Sequence, residues 1–444
     1  MSGNENGIGV GLIGFGTIGT GVVKVLKDNA TEIEQRLGFP LRVVRIADLD
    51  LDTDRGVDLS GIQFDADASG LIADPNVHIV IELVGGYDVP RKFILEAFAA
   101  GKHVVTANKA LLAVHGREIF GAATAAGLDI AFEAAVGGGI PILRSLREGL
   151  AANQIETVLG ILNGTTNYVL TEMESTGEDF DVVLKRAQDL GYAEADPTFD
   201  VDGIDAAHKL ALLTTMAFGA DVVFEEIPTE GIRGLLPLDF ELAAEFGYRI
   251  KLLGIAKCHR DADGGERIES RVQPTMVPMT SLLANVDGAM NAVEVIGNAV
   301  GPTLYYGAGA GALPTASAVI GDLIEISREI KRGQAGAVAP LSYLPKHIVA
   351  KGSIPDTEIM GTAYLRFTAK DDPASLSQIT DALGKNGVGV ATIVQRAAGN
   401  SGSVSIIVLT QTASEASLNA ALATLAALGQ VTDAPRVIRI EEEV

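Results

Sequence analysis

The sequence predicts an α/β chain in which a parallel sheet comes first and a mixed α+β region and a small C-terminal unit follow. Three observations predict this. Short β-rich runs alternate with helical segments from Ile8 to Glu133, and such alternation needs crossover helices on both faces of a parallel sheet. Helices and strands then mix without that regularity from Gly137 onward. Residues 358–444 finally order as strand, helix, strand, strand, helix, strand, a ferredoxin-like pattern. A length of 444 residues exceeds one ordinary core, so two or three domains are expected.

In the first part, Ile8 to Ile13 reads as an apolar strand, followed by a glycine turn and a long helix to about Leu37. Leu41–Ala47 and Val77–Leu83 are further strands. Helix 89–100, a short strand at Val104 and Val105, helix 109–126 and strand Asp129–Glu133 complete a first domain over 1–136. Residues 137–301 are expected to bind substrate and build the oligomer. They hold helix 140–149, strand 155–161, and a turn at Asn163-Gly-Thr-Thr-Asn167 that can cap a helix through 168–176. Helix Phe180–Leu190, loop 191–201 and a helix to about Phe218 follow. Asp202 can cap that last helix, with Asp205 placed as in an acidic capping box. Strand-like pieces recur at 249–258, 268–274 and 292–296. Tyr306–Thr315 opens a helix to about Lys331, and 302–331 is expected to return and complete the first domain. Residues 332–357, rich in Ala, Gly, Ser and Pro, read as a linker. The tail is expected as a separate domain with strands 361–369, 389–397, 403–410 and 434–440 and helices 373–386 and 414–427. Asp371-Asp372-Pro373 is placed to cap its first helix.

Composition narrows the function. Lys and Arg number 34 against 57 Asp and Glu, a formal charge of −23. Such a surface repels nucleic acid and anionic lipid. The single cysteine, Cys258, excludes an intrachain disulfide and a multi-thiolate metal site. Met1 to Gly7 has neither a basic region nor a separate apolar segment, and no run reaches the roughly 20 apolar residues of a membrane span. A cytoplasmic, reduced protein is expected.

Gly14-Phe15-Gly16-Thr17-Ile18-Gly19 matches G-x-G-x-x-G after a strand and before a helix, the context that makes this motif a dinucleotide fingerprint of a Rossmann-type sheet. Gly14 permits the turn, Gly16 lets backbone approach the pyrophosphate, and Gly19 allows close packing. Asp48 ends the second strand and is placed to bind the ribose hydroxyls of NAD, or else to initiate a turn. Arg45 or Arg55 could instead approach the extra phosphate of NADP. Thr106-Ala-Asn-Lys109 lies where an open parallel sheet binds ligands. Lys109 there reads as a group for a carboxylate or a reacting carbonyl, or as a solvated helix start.

Further on, Asp205 and Lys209 stand four apart, on one face of a helix. Spacing alone fits an ordinary exposed pair of ~0.2–0.5 kcal/mol as well as a chemical site. His208 lacks a partner ligand at i+4 and reads as a packing or surface histidine. Asp196, Asp200 and Asp202 lack the glycine and glutamate of a calcium loop, so capping and substrate-loop roles are favoured.

Together these segments resemble homoserine dehydrogenase, in the bacterial form with a C-terminal ACT domain. The matching stretches are the glycine motif, Thr106–Lys109, Glu133-Ala-Ala-Val-Gly-Gly-Gly-Ile-Pro141, Gly160–Tyr168, Gly191-Tyr192-Ala-Glu194-Ala-Asp-Pro197, Asp202–Leu210 and Gly307-Ala-Gly-Ala-Gly311. Arg366-Phe and Asp372-Pro373 add the tail. The resemblance implies reversible reduction of L-aspartate 4-semialdehyde to L-homoserine with NADPH or NADH, in threonine, methionine and isoleucine biosynthesis. It implies Lys209 as the acid–base group, Asp205 beside the substrate, Glu194 on the substrate amine with Gly191 and Tyr192 nearby, and Lys109 near substrate and nicotinamide. It implies a monovalent cation, sodium or potassium, surrounded by Glu133, Val136, Gly138 and Ile140, and a cofactor contact at Gly311. It also implies a homodimer or homotetramer and threonine as an effector at the tail. Two other readings are weighed. A semialdehyde acyl-transfer enzyme would need a nucleophilic cysteine, and Cys258 has no activating context. A dinucleotide-sensing regulator would not need Glu194, Asp205 and Lys209 together.

Overall fold

Apolar runs buried on both faces build the first sheet. Its strands are β1 (Ile8–Ile13), β2 (Leu41–Ala47), β3 (Gln63–Asp65), β4 (Ile79–Glu82), β5 (His103–Thr106) and β6 (Ile130–Ala131). They run parallel in the order β3-β2-β1-β4-β5-β6, the doubly wound order of dinucleotide-binding sheets. The structure is a computed structural model describing residues 7–261, 264–397, 403–427 and 431–442. Residues 1–6, most of the stretch read as free of a targeting signal, lie outside the described residues. Among the described residues no helix is long and apolar enough to cross a membrane.

The connecting helices are α1 (Thr17–Asp28), α2 (Ala30–Leu37), α3 (Ala68–Ala73), α4 (Asp88–Ala99) and α5 (Lys109–Ala126). Where the sequence reads one helix to Leu37, the chain breaks at Asn29, with φ −106° and ψ 15°. Asparagine competes for nearby backbone groups and favours such breaks. β6 is shorter than the expected strand, because the chain turns through Glu133–Ala135 toward the second region.

α6 (Ile142–Arg144) starts a helical stretch that continues to Gly149. The second sheet then takes β7 (Ile155–Ile161), β8 (Tyr248–Arg260), β9 (Glu266–Pro278), β10 (Met290–Gly297) and β11 (Gly301–Ala308), antiparallel in the order β11-β10-β7-β8-β9. Its helices are α7 (Gly164–Thr176), α8 (Phe180–Asp189), α9 (Thr198–Val201), α10 (Ile204–Phe218) and α11 (Pro237–Glu245). α9 occupies part of the segment read as loop. α10 is buried along nearly its whole length, as a helix apolar all round must be. Its cap differs from the expected one. Gly203, at φ +84°, holds the cap position, and Asp202 turns away to pair with Arg233 at 2.7 Å. A Cβ on Gly203 would stand 3.0 Å from the Thr229 side chain and 3.2 Å from that of Val272, so only glycine suits this conformation and this packing.

Residues 302–331 divide instead of returning together. Residues 301–308 form the edge strand of the second sheet, where Pro302 is tolerated because its missing N–H faces away from the ladder. α12 (Ala312–Arg332) goes back to the first region and packs on α1. The two helices approach closely, since a Cβ on Gly21 would lie 2.6 Å from the Ala312 carbonyl oxygen.

The stretch read as a linker is a packed strap. Gly336 N–H donates to Asp129 at 2.6 Å, Val349 bridges to Ala220, and β12 (Gly352–Ser353) pairs with β9. The tail follows as β13 (Met360–Lys370), α13 (Pro373–Lys385), β14 (Val390–Ala397), β15 (Ser403–Thr410), β16 (Ala413–Ser414), α14 (Glu415–Ala426) and β17 (Arg436–Ile440). Asp372 caps α13 through the Ala374 N–H at 2.9 Å. The four long strands run in the order β17-β13-β15-β14 over a core containing Phe367, Ile379 and Val408. The tail does not stand apart, however. β17 pairs in parallel with β9, Arg439 opposite Thr275 and Ile440 opposite Met276, so both regions share one eleven-stranded sheet.

Candidate active site

The glycine turn leaves its helix open to an anion. Gly14 sits at φ +93°, where a Cβ would come within 2.7 Å of the Leu83 carbonyl oxygen. A Cβ on Gly16 would meet nothing within 4 Å, so backbone there is accessible. α1 begins with no side-chain cap, and its first N–H groups remain available to phosphate. Thr17 and Ile18 form its first turn. Phe15 is buried, and its N–H donates to Asp48 Oδ2 at 2.5 Å. Arg55 lies over the Phe15 ring at 5.0 Å and 3.8 Å from Asp48. Arg45 points elsewhere, paired with Asp65 at 3.0 Å.

A cleft of about 320 Å³ runs from Ile18 past Leu83 and Gly86 to Lys109 and Phe199. Its floor is tied together at the strand ends. Buried Glu82 accepts from the Thr106 hydroxyl at 2.7 Å and from Val84 N–H at 2.7 Å. Asn108 caps α5 and donates to the Gly86 carbonyl at 2.8 Å. Thr106 is thus buried in the support of the cleft. These bonds place Lys109 at the first turn of α5, facing the second region.

There, one carboxylate holds two lysines. Asp205 Oδ1 lies 2.9 Å from Lys109 Nζ, and Oδ2 lies 2.6 Å from Lys209 Nζ. Lys209 Nζ also donates to the Leu162 carbonyl at 2.6 Å. Asn163, which caps α7 through the Thr166 N–H, donates its amide to both Asp205 and Asp200, at 2.8 and 2.7 Å. The lysines differ electrostatically. Burial pushes the Lys209 ammonium below the ordinary lysine value, and Asp205 only partly opposes this. Burial also works against Lys109, yet the Asp205 charge holds it above that value. Asp205 is itself deeply buried, but the two ammonium groups keep its carboxyl well below the usual range. Burial and the shared carboxylate thus shift the two lysines in opposite directions, Lys109 up and Lys209 down.

The neighbouring loop carries Gly191 at φ +78° and Tyr192, whose ring packs on Tyr168 with centroids 4.7 Å apart. Glu194 is exposed on it, and among the described residues no hydrogen bond or ion pair engages its carboxylate. Among the described residues no hydrogen bond or ion pair links it to the Asp205 cluster. His208 is wholly buried, stacked at 4.0 Å on Phe224, and burial lowers its pKa; it packs and does not face the surface. No group of three or more acidic, histidine or cysteine side chains suited to a metal occurs among the described residues. Cys258 is half-buried, and burial pushes its thiol up, which suits a packing residue and not a nucleophile.

The two Glu133 carboxylate oxygens accept from Leu143 and Arg144 N–H at 2.9 and 2.8 Å. Val136, Gly138 and Ile140 are buried beside it. Among the described residues no hydrogen bond reaches the Val136 or Gly138 carbonyl. Gly138, at φ +55°, packs against Gly309, where a Cβ would come within 2.4 Å of carbonyl oxygen. Gly311, at φ +120°, caps α12 in the same loop.

Sequence reading foresaw the Asp205–Lys209 pair and the Asn163–Asn167 turn that caps a helix. It missed that Lys109 shares Asp205, that Asp200 is tied to Asn163, and that a carbonyl holds Lys209. It also missed Asn291, fully buried with both amide atoms unpartnered against Gly309. Polar residues, Asn291 and Glu294, in the otherwise apolar run 290–297 were the one available signal.

Comparison with known proteins follows the same division. Residues 14–133 match the homoserine dehydrogenase NAD-binding domain, and residues 141–324 match the homoserine dehydrogenase family. Curated homoserine dehydrogenases from Neisseria gonorrhoeae and Pseudomonas aeruginosa are each 45% identical over 98% of this chain and 98% of their own. A solved homoserine dehydrogenase from Thiobacillus denitrificans is 47% identical, covers 98% of this chain and 99% of that one, and superposes with a TM-score of 0.92. A hyperthermophilic archaeal homoserine dehydrogenase in complex with NADPH is 26% identical, covering 72% of this chain and 98% of its own with a TM-score of 0.60.

Proposed function

The chain belongs to the homoserine dehydrogenase family, and from that premise we propose which residues perform its chemistry. The reaction is the NAD(P)H-dependent reduction of L-aspartate 4-semialdehyde to L-homoserine, in amino-acid biosynthesis. The dinucleotide supplies hydride to the aldehyde carbon when bound. As negative charge develops on the aldehyde oxygen, Lys209 donates a proton from Nζ, and in the oxidative direction neutral Lys209 takes the hydroxyl proton back. The observation that carries this is the placement of Lys209 Nζ, buried and held 2.6 Å from Asp205 Oδ2 and 2.6 Å from the Leu162 carbonyl; burial also pushes its pKa down, against the pull of Asp205. Asp205 and the Leu162 carbonyl aim Nζ. Lys109, held charged, takes the substrate carboxylate, and Glu194 at the exposed loop takes its ammonium together with Gly191 and Tyr192.

Gly14 to Gly19, Lys109 and Gly311 form our proposed cofactor contacts; Thr106, fully buried with its hydroxyl on Glu82, supports the cleft floor instead. Both NAD and NADP have a partner at β2: Asp48 for a free ribose hydroxyl, Arg55 for a phosphate. A monovalent cation, sodium or potassium, fits the buried carbonyls of Val136 and Gly138 with Ile140 and Glu133. These carbonyl oxygens lack hydrogen bonds and suit a hard cation. It would steady the loop that meets Gly309. We read 1–136 with α12 as the nucleotide domain, 137–301 as the substrate and oligomerisation domain, and 358–444 as a ferredoxin-like ACT domain open to threonine in a cytoplasmic homodimer or homotetramer. The strand order β17-β13-β15-β14 supports the ACT reading.

Steady-state homoserine oxidation with NAD and NADP, repeated on Lys209→Ala, tests the assignment. Retained cofactor binding with turnover lowered by several decades is expected; unchanged turnover would remove Lys209 from the chemistry.

A further inference from the structure

One residue of the second region reaches the cleft beside Lys109 without a part in the proposed proton transfer. That cleft is otherwise lined by the nucleotide region, from Ile18 and Leu83 to Ala107 and Ala110. Phe199, on the short helix α9, closes it from the other side.

Phe199 is 40% exposed. A single exposed apolar side chain is ordinary, but this one is backed by other rings. It stacks on the His208 ring with centroids 5.4 Å apart and planes 24° from parallel. His208 stacks in turn on Phe224 at 4.0 Å and 7°. A row of three rings therefore ends at the cleft.

The reaction brings two ligands to this place. The amino-acid aldehyde is a short chain with an ammonium and a carboxylate on one carbon, and an aromatic side chain meets neither. The nicotinamide is a flat ring, and aromatic side chains suit flat rings. Ile18 and Leu83 across the cleft are apolar too. Ile18 stands in the first turn of α1, just past the glycine turn. We propose that Phe199 is a cofactor-binding residue that packs against the nicotinamide ring, with His208 as the positioning residue behind it.

The arrangement ties the cofactor to the proton donor. His208 precedes Lys209 in the chain, so α10 carries both the backing ring and the ammonium group. Holding the nicotinamide, through Phe199 and His208, on the helix that holds Nζ keeps hydride source and proton source in register. This rests on the proposed seat of the dinucleotide at Gly14–Gly19.

The test is calorimetric titration of the full-length protein with NADPH and NADH, and with ADP-ribose 2′-phosphate and ADP-ribose, the matching fragments that lack nicotinamide. Phe199→Ala should weaken the dinucleotide about ten-fold, the scale of one aromatic stacking contact, and leave the fragment within about two-fold of the parent. Phe199→Tyr keeps the ring and keeps the affinity. His208→Leu removes the backing ring and gives a smaller loss, again confined to the dinucleotide. Steady-state rates add a second readout, in which KM for the dinucleotide rises in Phe199→Ala and KM for homoserine does not. The exposure of Phe199 lets its variants fold, which thermal unfolding checks. The proposal is overturned if Phe199→Ala binds the dinucleotide as the parent does, if it loses dinucleotide and fragment equally, or if the homoserine KM rises in place of the dinucleotide KM. A loss in Phe199→Ala with none in His208→Leu upholds Phe199 and removes the role of His208. Gly16→Val tests the underlying seat separately. It weakens dinucleotide and fragment together; if it weakens neither, the seat is wrong, while the Phe199 result stands on its own titration.

Discussion

Asp205 and Asp239 are both buried carboxylates at which separate parts of the chain meet, and they are finished differently. Asp205 joins the nucleotide region to α10 through two lysines. Asp239 joins α11 to the tail, accepting from the Tyr364 hydroxyl at 2.9 Å and from Arg366 at 2.7 Å, while its other oxygen accepts the Leu236 N–H at 2.8 Å. A guanidinium stays charged throughout the accessible pH range, and burial followed by the Asp239 charge pushes the Tyr364 phenol up. No proton moves readily at Asp239. At Asp205 burial pushes the partner lysine, Lys209, below the ordinary lysine value. On the proposed function, a buried carboxylate fastens or takes part in proton transfer according to the partner it is given.

The widest gap between the two sites should appear in Lys209→Ala. Turnover falls by about 10²–10⁴-fold with little change in melting, measured by single-turnover kinetics and thermal unfolding. Asp239→Ala should do the reverse. It strands a buried guanidinium and a phenol, costing about 3–5 kcal/mol of stability, read from urea unfolding. Urea midpoints equal to the parent's would dissolve the contrast. Asp205→Asn comes next, with turnover lowered by roughly 10²-fold. The Asp205 charge raises the Lys209 pKa, so removing it lowers that pKa further. Reduction needs the ammonium form, so the alkaline fall of the reductive rate moves to lower pH, and a pH–rate profile that stays put would contradict the charge coupling. The smallest effect belongs to Asn163→Ala. It removes one hydrogen bond to Asp205 and a helix cap, each worth about 1 kcal/mol. Turnover drops roughly five- to ten-fold, and melting falls by a few degrees.

The first sheet was legible because its strands are continuous apolar runs and its glycine motif sits at a strand–helix junction. The tail's element order was legible for a similar reason, since Asp372-Pro373 and period-two runs mark its ends. The joining of the tail to β9 was not. Pairing Arg439 with Thr275 depends on contacts some 160 residues apart that no local pattern records. Strand 301–308 was hidden because glycines and a proline mask its alternation. Within the site, the i,i+4 spacing showed Asp205 and Lys209, but sharing Asp205 with Lys109 is a fact of tertiary placement. Gly203 displaced Asp202 as the cap because Thr229 and Val272 leave no room for a side chain.

The return of α12 onto α1 also sets a timetable. Val22, Val23 and Leu26 of α1 share a core with Val319, Ile320 and Leu323 of α12, which leave the ribosome almost 300 residues later. At ~5–20 residues per second, the nucleotide half waits on the order of 15 to 60 s with that face of α1 uncovered. Chains stalled before Ala312 should therefore be cleaved by protease within residues 17–37, and the same segment should become resistant once Arg332 has emerged.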